Sequence, residues 1–259
     1  MPAGVPLVTL LTDFGTADYY VAALKGVLLS RAPGSTLVDV THDVPPGDVE
    51  TAAFLVGAAA RWFPEGTIHL VVVDPGVGGD RRILAVRRGG HRFVAPDNGA
   101  LGAVLADAAA YAVGAEGLFL PGPGATFHGR DRLAPVAAHL AGGGSLEELG
   151  PAIDDPVRLD LPLPRLEAGL ARGRVAHVDR FGNLVTDLPS QWAGDREAVV
   201  ARLGGREVTR RAGHYAEMRA GEPAWLPGSL GTVELALRGE SLSHRWGLGR
   251  GEPVELAFR

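Results

Sequence analysis

Residues 67–82 read TIHLVVVDPGVGGDRR. From Ile68 to Val73 the run is apolar except for His69, and it ends abruptly in Asp74, Pro75 and three glycines before Asp80, Arg81 and Arg82. A strand with one solvated face alternates apolar and polar residues. A strand that does not alternate belongs in a sheet covered on both faces, which is the habit of parallel α/β sheets. Its abrupt polar end then lies where such sheets collect their ligands, outside the carboxyl ends of the strands.

The flanking sequence agrees with that reading. PLVTLLTDF (6–14) reads as a strand, DYYVAALKGVLLSRA (18–32) as a helix, TLVDVTH (36–42) as a strand and DVETAAFLVGAAARWF (48–63) as a helix. ILAVRRGGHRFVAPD (83–97) reads as a hairpin turning at Gly89–Gly90, and GALGAVLADAAA (99–110), DRLAPVAAHLAGG (131–143) and SLEELG (145–150) as helices. Strand and helix in alternation predict a Rossmann-like, mostly parallel sheet over residues 1–165. GPAIDDPVRLDLPLPRLEAG (150–169) carries four prolines and no helical period, and reads as a linker. From Gly173 the pattern changes to short β runs between glycine turns: GRVAHVD, NLVTDL, AVVARLGGREVTR, GTVELALRG and PVELAF. These predict a smaller all-β, barrel-like domain over 170–259.

Composition narrows the chemistry. The 259 residues carry a net charge of −5, which gives no general attraction to nucleic acid or an anionic membrane. There is no cysteine, which excludes disulfides, thiolate metal sites and cysteine nucleophiles. Lys25 is the single lysine and lies in AALKGVLL, without the G-K-[ST] of a phosphate loop. The start, MPAGVPLVTLLTDFG, lacks the basic segment of a secretory signal, and the longest apolar runs fall short of a membrane span. The expectation is a soluble, cytoplasmic protein.

Four polar clusters fall at the predicted strand ends and loops. They are Asp13 in TDFG, His42 and Asp43 in VTHD, Asp74 to Arg82, and His128, Arg130 and Asp131 in TFHGRD. Each has a plain structural reading as well. Asp13 can bond its own turn, Asp48 is a helix N-cap, Asp131 caps the helix beginning there, DNGA (97–100) is a turn, and a lone His128 in a glycine-flanked loop is an exposed, inert histidine. DPGVGG lacks the G-x-G-x-x-G spacing and no helix comes directly after it, so it is not a dinucleotide cradle. Asp13, Asp74 and His128 offer ligands for a divalent ion, with metal-dependent phosphoester hydrolysis as the corresponding activity, but no H-x-H, H-E-x-x-H or D-x-D spacing supports a metal site. G-x-S-x-G is absent, so there is no nucleophile elbow. What remains is a carboxylate and a guanidinium seven positions apart, able to face a histidine from another loop and to position a small nucleophile. Arg81 supplies fixed charge, Asp74 orients and balances it, and His128 is able to take or relay a proton.

Taken together, LTDFGTADYYV, VDVTHDVPPGDVETAA, FPEGTIHLVVVDPGVG, FVAPDNGAL, TFHGRDRLAPVAAHLA and VDRFGNLVTDL resemble the S-adenosyl-L-methionine (SAM) hydrolase family. These enzymes are also called SAM hydroxide adenosyltransferases and are related to fluorinase and chlorinase. The resemblance runs in order along nearly the whole chain and is weakest over 190–225. It implies hydrolysis of SAM to adenosine and methionine by in-line attack at ribose C5′, without metal or other cofactor, by a trio falling on Asp74, Arg81 and His128. It implies ribose contact by Asp13, contacts to the methionine part and the adenine by Asp179 and Asn183, and a methionine-carboxylate contact by Ser229. It also implies a homotrimer with the ligand at the subunit interface. The halogenating relatives place a tyrosine at the position of Asp74 and an arginine at that of Leu230, so the resemblance favours hydroxide over halide transfer. A SAM- or adenosine-binding sensor with negligible turnover is the reading from a different functional class.

Overall fold

The structure is a computed structural model that describes residues 5–121, 126–194 and 199–258. The first four residues of the opening MPAGVPLVTLLTDFG, and Ala198 at the head of the run AVVARLGGREVTR, lie outside the described residues. The chain divides into two compact units, residues 1–159 and 160–259.

The first unit holds β1 (Leu7–Thr12), α1 (Tyr20–Arg31), β2 (Thr36–Thr41), α2 (Val49–Ala60), β3 (Ile68–Val72), β4 (Ile83–Arg88), β5 (His91–Pro96), β6 (Ala109–Ala112), α3 (Ala134–Ala141) and β7 (Ala152–Ile153). They form one sheet in the order β2-β1-β3-β5-β4-β6-β7. The pairs β1–β2, β1–β3 and β3–β5 are parallel, and the pairs from β5 outward through β4, β6 and β7 are antiparallel. The sheet is therefore mixed, with its parallel half at the β2 edge.

The apolar run at 68–73 is explained by where its side chains go. Ile68, Leu70 and Val72 join a core with Leu24 and Leu28 of α1 and Val136 and Leu140 of α3. Val71 and Val73 join a second core with Ala52, Val56 and Ala60 of α2. Successive strand residues point to opposite faces, so a strand between two helical layers must be apolar at every position. His69 is the exception. It is 1% exposed, stacks on Phe93, and makes contacts of 2.8 Å to Thr9 Oγ1 and 3.2 Å to His91 Nδ1 through its two ring nitrogens.

Three predicted helices need correction. Within 99–110 only a single 3₁₀ turn (Gly102–Val104) forms, and Ala109–Ala112 is a strand. Its alanines favour helix, but pairing with β4 and β7 overrides that weak preference. At 145–150 the capping box forms without a helix behind it: Glu148 N donates to Ser145 Oγ and Ser145 N to Glu148 Oε2. The helix expected from Asp131 begins as a π-helical turn, Gly129–Leu133, and becomes α-helical only at Ala134. Pro135 has no N–H to give the Asp131 carbonyl, which accepts instead from Leu120 N at 2.8 Å.

The second unit holds β8 (Arg165–Glu167), β9 (Leu170–Val178), β10 (Leu184–Pro189), β11 (Val199–Leu203), β12 (Arg206–Val208), β13 (Ala224–Pro227), β14 (Thr232–Ala236), α4 (Leu242–Trp246) and β15 (Pro253–Phe258). Its strands are antiparallel in the order β12-β11-β15-β9-β10-β14-β13, with β8 on β9. The path nearly closes: Ala212 N donates to Trp225 O, and Trp225 N to Arg210 O. Side chains from β9 to β15 then share one interior around Trp225, Leu235 and Leu256. The unit is barrel-like but not all-β, since α4 is helical, capped by Ser241 and ended by Gly247 at φ 66°. The predicted linker is not wholly irregular either, since β7 and β8 fall within it. Among the described residues no helix is long and apolar enough to cross a membrane.

Burial holds His69 neutral, with its pKa lowered to about 3, and the neighbouring His91 adds to the effect. The unfolded chain therefore binds a proton below pH ~6.5 that the folded chain refuses, and stability falls with pH between about 6.5 and 3 by roughly 1.4 kcal/mol per unit from this group. Urea unfolding at pH 7 and pH 4.5 is expected to show His69→Leu losing about 2–3 kcal/mol less than the parent over that interval.

Candidate active site

The loop after β3 is built around two clamps. Asn98 Nδ2 donates to the carbonyl of Val73, immediately before Asp74, at 3.0 Å, and Asn98 Oδ1 accepts from Ala100 N. Asp97, 5% exposed, accepts from Arg82 Nε at 2.8 Å and from Val157 N at 2.8 Å. DNGA is thus the turn the sequence suggested, and it also fixes both ends of the segment from Asp74 to Arg81. Within that segment Val77 N bonds Asp74 O and Gly79 N bonds Gly76 O, so the backbone folds back on itself and returns Arg81 to Asp74.

Arg81 donates through Nε to Asp74 Oδ1 at 2.6 Å and through Nη2 to Asp74 Oδ2. The same Nη2 lies 3.0 Å from His128 Nδ1. All three side chains are largely withdrawn from solvent, and His128, read from sequence as an exposed histidine, is 2% exposed. The packing of the next residue holds it down. Gly129 sits so closely on Val72 and Phe14 that a Cβ there would lie 2.9 Å from Val72 Cγ1. Burial pushes the His128 pKa below its ordinary value, and the charges of Arg132 and Arg81 push it further. Among the described residues, His128 Nε2 and Arg81 Nη1 are buried with no hydrogen-bond partner.

Beside the trio, Phe14, Tyr20 and Phe127 pack edge to face or tilted at 5.2–5.9 Å. They line a cavity of about 500 Å³ with Tyr19, Thr126, Arg130 and Asp131. Asp131 does not cap a helix. It is bound by both Nε and Nη2 of Arg130, whose guanidinium lies over Phe127. Asp13 stands at the end of β1 and accepts from Gly47 N at 2.8 Å. The residue before it, Thr12, bonds His42 Nδ1, which ties the ends of β1 and β2 together, and Asp48 caps α2 by accepting from Thr51 N.

In the second unit, Asp179, Asn183 and Ser229 line one cavity of about 700 Å³. Asp179 Oδ1 accepts from the backbone of Phe181 and Asn183, and Asn183 Nδ2 donates to Asp179 Oδ2. The turn between them requires Gly182, at φ 80° with no room for a Cβ beside Ser241. Among the lining residues that the sequence reading did not name, Tyr215 and Glu234 bear most directly on its chemistry. Tyr215 Oη donates to Glu234 Oε1 and lies 3.3 Å from Asn183 Nδ2. Burial, then the charge of Asp179, raises the pKa of Glu234 although the Tyr215 bond opposes it, and burial with the Glu234 bond pushes Tyr215 up. Three carboxylates (Asp179, Glu234 and Glu240) and a phenol against the single guanidinium of Arg238 line the cavity, and the excess of acceptors favours a cationic group. Glu234 had a signal in the sequence, a lone charge in the apolar strand TVELA. Tyr215 had none. Among the described residues no group of three or more His, Asp or Glu side chains is arranged to hold a metal ion.

The two units coincide with two family models. Residues 8–150 match the SAM hydroxide adenosyltransferase N-terminal domain, and residues 173–255 match the C-terminal domain. The chain belongs to the SAM hydroxide adenosyltransferase family. A relative from Thermus thermophilus, named (R)-S-adenosyl-L-methionine hydrolase, is 42% identical over 95% of this chain and 97% of its own. A fluorinase from an Actinoplanes species is 35% identical over 73% of this chain and 74% of its own. The crystal structure of an uncharacterized conserved protein from Thermotoga maritima superimposes with a TM-score of 0.91 at 34% identity, covering 96% of this chain and 99% of that one. Membership in the SAM hydroxide adenosyltransferase family accounts for the two-unit order and leaves two named activities among the relatives, hydrolase and fluorinase.

The Asp179–Asn183 turn has no slack. Gly182→Ala combines a left-handed backbone with a clash against Ser241, and is expected to cost about 2–4 kcal/mol. Chemical denaturation checks this, and near-parent stability would show that the turn is not as tight as described.

Proposed function

We propose that this chain hydrolyses S-adenosyl-L-methionine to adenosine and L-methionine. Water or hydroxide, held by Arg81 and His128 and oriented by Asp74, attacks ribose C5′ in line with sulfur. The C5′–S bond breaks and methionine leaves as a neutral thioether. The observation that carries the reading is the single guanidinium that binds both oxygens of a buried carboxylate while touching a buried histidine. Such a group cannot turn away, so its charge stays aimed at the same point. The sulfonium loses its positive charge as the nucleophile loses its negative one, so the reaction gains when bulk water is excluded and the partners are held in line.

The relatives named as hydrolases support SAM as substrate. The related fluorinases keep halide transfer as the competing reaction, and Asp74 argues against it. A carboxylate beside the nucleophile repels a halide but accepts a hydrogen bond from water. In this reading Asp13 binds the ribose hydroxyls, and Asp179, Asn183 and Ser229 hold the adenine and the amino-acid end. Tyr215 and Glu234 add to a cation-seeking cavity suited to the methionine ammonium. The reaction uses no resident cofactor. The assembly is a homotrimer that places SAM between one subunit's α/β unit and a neighbour's β unit.

Incubation with SAM after chelator treatment, in isotopically labelled water, is expected to give adenosine carrying solvent oxygen, and methionine. Asp74→Ala and His128→Ala are each expected to lower turnover roughly 100-fold or more. Full turnover in either would rule out the trio, and stoichiometric binding without product would favour a sensor. Light scattering is expected to give three chains per particle, and a monomer that still turned over SAM would overturn the interfacial site.

A further inference from the structure

The motif VTHD takes no part in the trio or in the second unit's cavity, yet its histidine is buried. The ring of His42 stands between two elements. Nδ1 lies 2.8 Å from Thr12 Oγ1 at the end of β1, and Nε2 lies 3.1 Å from Asp39 Oδ1 in β2. The second contact lacks the alignment of a hydrogen bond and works through charge. Asp39 is held from its other side by Lys25 of α1, whose Nζ donates to Oδ2 at 2.6 Å. Lys25 is the only lysine among 25 basic residues.

The neighbours decide where the ring proton sits. Thr12 Oγ1 accepts from Phe14 N at 3.3 Å and still has its own proton to give. A lone pair on Nε2 would face a carboxylate. The proton therefore belongs on Nε2, and Nδ1 accepts from the Thr12 hydroxyl. Donors then run in one direction, from Phe14 through Thr12 and His42 to Asp39, with Lys25 at the far end. An ion pair as exposed as Lys25–Asp39 adds little stability. What it adds is direction.

The near end of this chain of contacts borders the site. Segment 42–47 is tied to the end of β1 three times. Gly15 N donates to His42 O at 2.8 Å, Val44 N to Thr12 O at 3.4 Å, and Gly47 N to Asp13 Oδ2 at 2.8 Å. Gly47 also lies against the residue after Asp74, since a Cβ there would be 3.4 Å from that of Pro75. One short segment thus holds the Asp13 carboxylate and abuts the loop of the trio, and His42 is its polar anchor.

We propose that His42, backed by Asp39 and Lys25, is a positioning residue that sets Asp13 against the ribose of a bound nucleoside. This rests on the reading of Asp13 as the ribose contact. Neither ring nitrogen of His42 faces a ligand, because one is on Thr12 and the other is buried against Asp39. The histidine acts only through where Asp13 stands.

Calorimetric binding of adenosine and of 2′-deoxyadenosine tests this without turnover. The parent is expected to favour adenosine roughly tenfold or more, the size of a hydrogen bond to a charged group. His42→Asn keeps a polar atom near the place of Nδ1 and removes Nε2, which cuts the link to Asp39. It is expected to bind adenosine roughly tenfold more weakly, to bind 2′-deoxyadenosine about as before, and so to lose most of the preference. Asp39→Ala, at a half-exposed position, is expected to move the ratio in the same direction and serves alone if His42→Asn does not fold. General loosening of the fold weakens both nucleosides alike. A parent-like ratio in the folded variants therefore overturns the proposal, and so does a parent without preference. SAM hydrolysis is assayed separately. A chain that gave the expected ratios but released no adenosine from SAM would defeat the hydrolase reading and leave this placement standing, and hydrolysis with unchanged ratios would do the reverse.

Discussion

The guanidinium of Arg81 is the constraint around which the first unit's site is arranged. It is shared between Asp74 and His128, which reach it from separate loops, and each of its partners limits what the others can do. Asp74 occupies Nε and one face of Nη2, which removes the arginine's freedom to swing. The remaining contact fixes the ring of His128, and with it the direction of Nε2. Burying an ion pair is not in itself a source of stability, since desolvation offsets much of the attraction. Its value here is geometric: one orientation of three side chains survives.

That orientation depends on parts of the fold that carry no chemistry themselves. Asn98 holds the carbonyl before Asp74, and Asp97 holds Arg82. The loop between these anchors can be glycine-rich without being loose, because its ends are fixed and its own backbone bonds close it. On the other side, the packing of Gly129 against Val72 and Phe14 keeps His128 out of solvent. Strand β3 thus contributes twice, by delivering Asp74 and by forming the floor under Gly129.

Much of this was legible in the sequence, for physical reasons. The run at 68–73, apolar but for His69, meant a strand with two buried faces, and the alternation of strands and helices gave the layers on either side. What failed was local preference set against pairing. Ala109–Ala112 reads as helix in isolation, but a waiting strand edge makes it β. The structure brings Asp74, Arg81 and His128 together, and what singled them out in the sequence was a carboxylate and a guanidinium seven positions apart across a glycine-rich turn, with a histidine in another loop. The dual use of Asp97 and Asn98 was hidden, since a turn residue and a clamp look the same in one dimension. Glu234 announced itself only as a charge in an apolar strand, and Tyr215 lies in a stretch with no pattern at all.

The π-helical turn at Gly129–Leu133 has a consequence for how this chain tolerates length changes. Such a turn holds one residue more than the α-helix it continues. One revolution of a π turn takes about a residue more than an α turn does, so deleting one residue there would let the segment wind as ordinary α-helix with His128 near its present angle. A deletion within α3, which has no such surplus, would instead rotate everything upstream about 100° around the axis and take His128 off the guanidinium. The surplus residue is slack in the winding, and the chain can lose a residue at this turn more readily than in the helix after it.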